Sequence, residues 1–224
     1  FTAGFYDRCE KLINEISNNQ YEEFNLNILL DISIKQRNWS SAVKYSFEIE
    51  KKFGKSQRLQ VSHFYCELAL EELVKNKKVQ SVKNLEKALE INKNNTRANI
   101  IMGEIEFEQK KYVNAIEFWK KIEFQKPEHF VLIVKKFLDS YDQLNKTNEC
   151  LSQLSHYRES YQIDQIDKYI FDYVFTKNGA EKAEELARNN LIKKPSIEVL
   201  DQLFSAQASK DNKNQDIKII QQIV

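Results

Sequence analysis

In 224 residues the chain carries 34 Lys and Arg against 33 Asp and Glu, a net charge of +1 at pH 7, and lacks the basic excess from which duplex nucleic-acid binders draw much of their affinity. Its 4 Gly and 2 Pro are too few for the tight turns of a β-sandwich, a barrel or a doubly wound sheet. With 42% hydrophobic and 30% charged residues it fits neither a disordered chain nor a membrane protein; the longest apolar run, Phe130 to Val134, is too short to cross a bilayer, and no signal peptide opens the sequence.

Apolar residues recur at helical spacing along the whole chain. They predict a helix over 5–17, then the pairs 21–36 with 39–53, 57–76 with 79–91, 95–109 with 112–124, 128–144 with 147–160, 163–177 with 179–193, and 196–208 with 212–224. Tyr6, Cys9, Ile13 and Ile16 mark the opening helix as the second half of a partial unit, 1–22. A frame opening at Glu23 puts Leu26, Leu29 and Leu30 at positions 4, 7 and 8, Ala42 at 20 and Ile49 at 27. Five extra residues follow near Gln57–Val61; frames then open at Ser62, Thr96, Phe130, Asp164 and Glu198, in 34-residue register without insertion. Gly103, Ala115, Trp119 and Pro127 fall at positions 8, 20, 24 and 32 of their frame, and Ala183, Ala187 and Pro195 at 20, 24 and 32 of theirs. Ser81 and Glu149 are the departures from alanine at position 20.

That pattern is the tetratricopeptide repeat. Small residues at positions 8 and 20 let two antiparallel helices approach, and large apolar residues at 4, 7, 24 and 27 fill the space to the next unit. Pro at 32 stops the second helix, because it lacks an N–H and disfavours the α region before it. One unit cannot bury its apolar face alone, so the units must stack. The expected fold is all-α: a right-handed superhelical solenoid of antiparallel helix pairs, one repeat array over 1–224. Asn94 and Asn95 are cap candidates before Thr96, and Asn178-Gly179 closes one helix and leads into the next. Both ends read as cut: the chain opens on a half-unit without Met and ends on Ile219–Val224 without a polar capping helix, while Lys210–Gln215 is polar enough to fray.

In such an array the first helices line a concave face, with positions 2, 5, 9, 12 and 13 outward. The candidate partner-binding residues there are His63, Cys66, Arg97, Ile100, Glu104, Phe107, Val134, Tyr141, Lys168 and Phe175, a stripe of apolar and aromatic groups with scattered charge. It suits a peptide or helix held by aromatic anchors; the same residues also suit packing inside the array. Position 9 carries no Asn in any frame, which argues against a clamp for a C-terminal carboxylate.

Catalysis has little to stand on. His63 and Cys66 share a helix face, a spacing open to a Cys–His nucleophile pair. No Gly-rich turn or nucleophile elbow accompanies them, and Cys66 also reads as a small core or groove residue. Three cysteines at wide spacing form neither a disulfide framework nor a metal site, and they point to a reducing compartment. No cofactor or metal is expected. Lys75-Asn76-Lys77-Lys78 and Lys110-Lys111 sit at helix-to-helix turns, where cations answer the helix dipole; an acidic partner or anionic lipid is the sharper alternative.

Several stretches exceed what the repeat requires. These are Gly4-Phe5-Tyr6-Asp7-Arg8, the run from Gln57 through His63-Phe64-Tyr65-Cys66-Glu67 to Leu70, Asp31-Ile32 followed by Trp39, and Asn94-Asn95-Thr96-Arg97-Ala98 leading to Ile101-Met102-Gly103. They resemble the bacterial lipopolysaccharide assembly protein B family, as does the five-residue insertion before Ser62. The resemblance implies an N-terminal membrane helix, a cytoplasmic tetratricopeptide array and a C-terminal rubredoxin-like metal domain with two Cys-X-X-Cys pairs. This sequence carries only the array.

The family is similar to a non-catalytic adaptor that links the inner-membrane ATP-dependent zinc metalloprotease to the deacetylase committing carbon to lipid A, so that proteolysis of the deacetylase limits lipopolysaccharide synthesis. The resemblance therefore implies protein partners, no enzyme activity, no nucleic acid, no membrane contact from this stretch itself, and a place at the cytoplasmic face of the bacterial inner membrane through an anchored parent. It leaves monomer and dimer open. A generic tetratricopeptide scaffold in another envelope or secretion assembly is the alternative. A helical-repeat RNA binder is disfavoured by the balanced charge.

Overall fold

The computed structural model describes residues 5–15 and 21–209, and every regular element among them is helical. In chain order these are α1 (Tyr6–Glu15), α2 (Glu22–Lys35), α3 (Trp39–Phe53), α4 (Arg58–Val74), α5 (Lys78–Ile91), α6 (Thr96–Glu108), α7 (Tyr112–Lys120), α8 (Val134–Gln143), α9 (Thr147–Tyr161), α10 (Gln165–Asn178), α11 (Ala180–Lys193) and α12 (Ile197–Ala208). Their bounds match the periodicity to within two residues, except around two 3-10 segments, Lys121–Phe124 and Pro127–Leu132. The predicted helix 212–224 with its Ile219–Val224 stretch, the segment Lys210–Gln215, Ile16 and Gly4 lie outside the described residues.

Sequence expects one helix over 112–124 and another from 128; the structure breaks both. Pro127 opens the second 3-10 segment at its first position, where its missing N–H costs nothing. The β-branched Val131, Ile133 and Val134 are poor helix formers. Side chains three apart eclipse in a 3-10 turn. That turn puts Phe130 and Ile133 together on the buried side, at 1% and 0% exposure.

The turns between paired helices repeat. Arg37, Asn76, Lys110 and Asn145 all take left-handed backbone, with φ of 56°, 59°, 60° and 56°. At three of them the next residue closes a six-to-one helix-ending bond: Asn38 N–H to Ser33 O at 2.8 Å, Lys77 N–H to Glu72 O at 2.8 Å, and Lys146 N–H to Tyr141 O at 2.9 Å. Five residues after each left-handed residue stands a small side chain with 0% exposure: Ala42, Ser81, Ala115 and Cys150. This corrects the register. Cys150, not the exposed Glu149, takes the close-approach position, so one residue is inserted between Lys110 and Asn145. One residue is lost again at the Gly179 turn, where the buried Ala183 comes only four later.

The chain forms two compact units. One comprises the residues up to Gln109 with Lys120–Gln125, the other Lys110–Trp119 with the chain from Lys126 onward. In the first, α2, α3 and α4 bury Leu26, Leu30, Ala42, Ile49 and Phe64, with Trp39 stacked on Phe64 at 5.8 Å between ring centroids. Ala69, Ser81, Leu85 and Ala88 have no exposed surface and set the close packing of α4 on α5. Asn95 caps α6, accepting from Ala98 N–H at 3.0 Å, and its amide donates to Ser62 Oγ at 2.8 Å, which in turn donates to Ala88 O at 2.8 Å. Ser62 thereby ties α4 to the end of α5 and the start of α6.

In the second unit Phe130 meets Phe137 and Tyr157 edge-on, with centroids 5.0 and 4.6 Å apart. Phe171, Ala183, Ala187, Leu203 and Ala206 form the core between α10, α11 and α12. Asp142 joins three helices: it accepts from Tyr173 Oη at 2.6 Å, Thr147 Oγ1 at 3.2 Å and Lys177 Nζ at 2.8 Å. Those bonds, from Lys177 first and Tyr173 next, hold the Asp142 carboxyl below the usual carboxylate range.

Candidate protein-binding cleft

Within the second unit, α10 and α12 each divide into a buried face and an open one. Ile166 and Ile170 of α10, and Leu203 and Ala206 of α12, are buried in the core, while the buried Phe171 and Val199 also border the open side. The helical period then leaves Gln165, Lys168 and Asp172 on one side, and Glu198, Gln202 and Ser205 on the other. Together they line a cleft of about 1010 Å³, with Val131, Tyr169, Phe171 and Val199 as its apolar part.

Much of the charge in the cleft is paired. Arg158 donates to Asp167 at 2.9 Å and to Glu159 at 2.9 Å. Partial burial alone would lower the Arg158 pKa, but the bond and charge of Asp167 outweigh it and raise it. Lys194 grips Asp164 at 2.7 and 2.6 Å. Ser196 caps α12, accepting from Val199 N–H at 3.2 Å. Glu198 is engaged there too: its own backbone N–H and the Ser196 hydroxyl hold its carboxyl below the usual range. Asp172, Asp201, Lys168 and Lys193 are exposed residues of the lining with no ion pair to another described residue.

Two amides meet in the same cleft, and one of them holds a buried, unsatisfied oxygen. Asn190 is 9% exposed and lines the cleft, and its carboxamide makes no hydrogen bond to another described residue. Gln202 Oε1 is shielded from solvent and also has none.

Of the sequence-predicted groove residues, Lys168 lines this cleft. Cys66, Val134 and Tyr141 do not reach any surface: their exposures are 0%, 0% and 2%. They are corrected to core residues, because each faces the packed side of its helix; Tyr141 also donates its hydroxyl to Gln153 at 3.1 Å. Phe175 is half-buried against the Phe171, Ala183 and Leu203 core, stacking on Phe171 at 5.9 Å. In the first unit His63 and Arg97 are exposed and converge on Glu67, His63 at 3.5 Å, while His63 meets Trp39 edge-on at 6.5 Å. Ile100, Glu104 and Phe107 are partly buried on α6.

Cys66 is not poised as a nucleophile. Burial pushes the Cys66 thiol up to about 12, and the opposing influence of Arg97 and Asn95 does not recover it. A thiol with no exposed surface and that pKa is inert, whatever His63 does on the outside of the helix. Among the described residues no group of three or more His, Cys, Asp or Glu could hold a metal ion, and no helix is long and apolar enough to cross a membrane.

Sequence reasoning missed Asn190, Gln202 and Asp201. A signal for one existed: positions 2 and 5, read in the frame opening at Glu198, are Val199 and Gln202, and both line the cleft. Asn190 lies on a second helix, where no groove position is expected.

No family model matches the chain. It is 26% identical over 203 residues to lipopolysaccharide assembly protein B of Escherichia coli K12, covering 90% of this chain and 52% of that protein. The Haemophilus influenzae protein of the same name is 24% identical over 195 residues, covering 87% and 49%. The chain thus spans about half the length of the curated relatives it matches. Among solved structures, MamA matches at 16% identity and a TM-score of 0.46, covering 71% of this chain and 88% of that one. TTC0263, a thermophilic tetratricopeptide-repeat protein of Thermus thermophilus, matches at 17% identity and a TM-score of 0.35, covering 75% and 90%. The described residues thus form only helices, paired through turns that recur about every 34 residues, and the chain is similar over 90% of its length to lipopolysaccharide assembly protein B.

Proposed function

We propose that this chain is the protein-binding repeat region of a non-catalytic adaptor in lipopolysaccharide assembly. The observation that carries the reading is the match to relatives of that name over 90% of the chain. The cleft of the second unit supports it: a wide, mixed-charge concavity with apolar walls suits a protein segment better than a small substrate. In the finer reading, the client is the deacetylase that commits carbon to lipid A. The adaptor presents it to the inner-membrane ATP-dependent zinc metalloprotease, from the cytoplasmic face, within a membrane-anchored parent.

The test is equilibrium binding of purified deacetylase to the purified chain, followed by fluorescence anisotropy. Saturable binding that persists at physiological salt is expected. Absence of binding to the chain and to its full-length parent would remove the deacetylase as client and leave a scaffold for another envelope assembly.

A further inference from the structure

We infer that the cleft between α10 and α12 takes an extended peptide whose backbone bonds to Asn190 and Gln202 and whose Lys or Arg side chain sits against Asp172 and Asp201. This rests on the reading that the chain binds proteins, and it names the chemistry of the bound segment. Three observations carry it. The first is the amide pair. Gln202 Oε1 is shielded and unpartnered, and Asn190, 9% exposed, lines the same cleft with no side-chain hydrogen bond to another described residue. Buried polar groups in folded proteins almost always find a partner. Carboxamides offer a donor and an acceptor, which matches the paired N–H and C=O of an extended backbone.

The second is charge. Four basic and six acidic residues line the cleft, a net charge of −2. Arg158 and Lys194 are already occupied by Asp167, Glu159 and Asp164, and Glu198 by its own helix end. Asp172 and Asp201 line the cleft with no ion pair to a cation among the described residues. Lys168 and Lys193 sit among them and favour segments that alternate basic with apolar residues over a polybasic run. The third is the apolar wall of Val131, Tyr169 and Val199, which accepts the side chains flanking the basic one.

The test is selection of a phage-displayed random heptapeptide pool on the purified chain, then fluorescence anisotropy with the enriched peptides made synthetically. The expected pool is rich in Lys or Arg flanked by apolar residues. Asn190→Ala and Gln202→Ala each weaken the best peptide about tenfold. The double variant Asp172→Asn with Asp201→Asn does the same and flattens the salt dependence of binding. Asn190→Ala leaves the thermal midpoint of the free chain unchanged or higher, since the amide it removes makes no hydrogen bond to another described residue; a residue kept for packing would lower it. If Asn190→Ala fails to fold, Gln202→Ala, at a residue only partly buried, carries the test. No enrichment, enrichment of acidic peptides, or binding untouched by all these variants would overturn the inference; in the last case water alone satisfies the amides. Deacetylase binding that survives every variant would sink this inference and spare the adaptor reading. Basic-peptide binding without deacetylase binding would do the reverse.

Discussion

Replacing Ser81 by alanine should stabilise the first unit. Ser81 occupies the close-approach position of α5 against α4, has 0% exposure, and its hydroxyl finds no partner. The equivalent residues Ala42, Ala115 and Ala183 show what the site accommodates. Removing an unsatisfied buried hydroxyl recovers about 1 kcal/mol or more, and serine-to-alanine in a helix interior adds about 0.5 kcal/mol. The expected gain is therefore about 1–2 kcal/mol. Ser81→Val probes the opposite sign: one methyl replaces the hydroxyl and a second must fit where nothing is exposed, and overpacking costs about 1–3 kcal/mol. Urea unfolding followed by far-UV circular dichroism gives the change in midpoint. Hydrogen exchange of the α4 and α5 amides localises it, which matters where two units need not unfold together. Alanine that destabilises, or valine that is tolerated, would refute the close-approach reasoning for this helix pair.

Acid should weaken the second unit through Asp142. Lys177 and Tyr173 hold its folded pKa below the unfolded value, so its contribution is present above about pH 4 and is lost as pH falls through the folded pKa. Asp142→Asn should flatten the acid limb of a plot of unfolding midpoint against pH; an unchanged limb would show that the carboxylate carries no linkage. Gly54 ends α3 with φ of +66°, and a Cβ there would meet nothing within 4 Å. Gly54→Ala should cost about 1 kcal/mol from backbone strain alone, measured by urea unfolding, and a cost near zero would contradict that account. Cys66 and Cys150 have no exposed surface, while Cys9 is partly exposed. Native thiol titration should label Cys9 quickly and the other two only at the rate of opening; fast labelling of Cys66 would contradict its burial.

Helix existence was written in the period of the apolar residues, and one cap was written in Asn95, because both depend on neighbours a few residues away. The break at Pro127 was half legible: proline announced a stop, but not that Phe130–Val134 would continue as a 3-10 turn to bury Phe130 and Ile133. Register failed at Glu149, since a one-residue insertion leaves the apolar period looking intact and only burial identifies the neighbouring small Cys150 as the close-approach residue. The groove was harder still. A position rule assigns Cys66, Val134 and Tyr141 to an open face, but the direction in which each side chain points is set by how adjacent helices cross. Asn190 reaches the cleft from a second helix, so no rule built on first helices could find it.

The most direct test of the adaptor reading is the lifetime of the lipid A-committing deacetylase after translation is stopped, in cells depleted of the full-length parent. The reading predicts that the deacetylase persists, that lipopolysaccharide rises, and that restoring the parent restores turnover. A lifetime that does not change on depletion would contradict it.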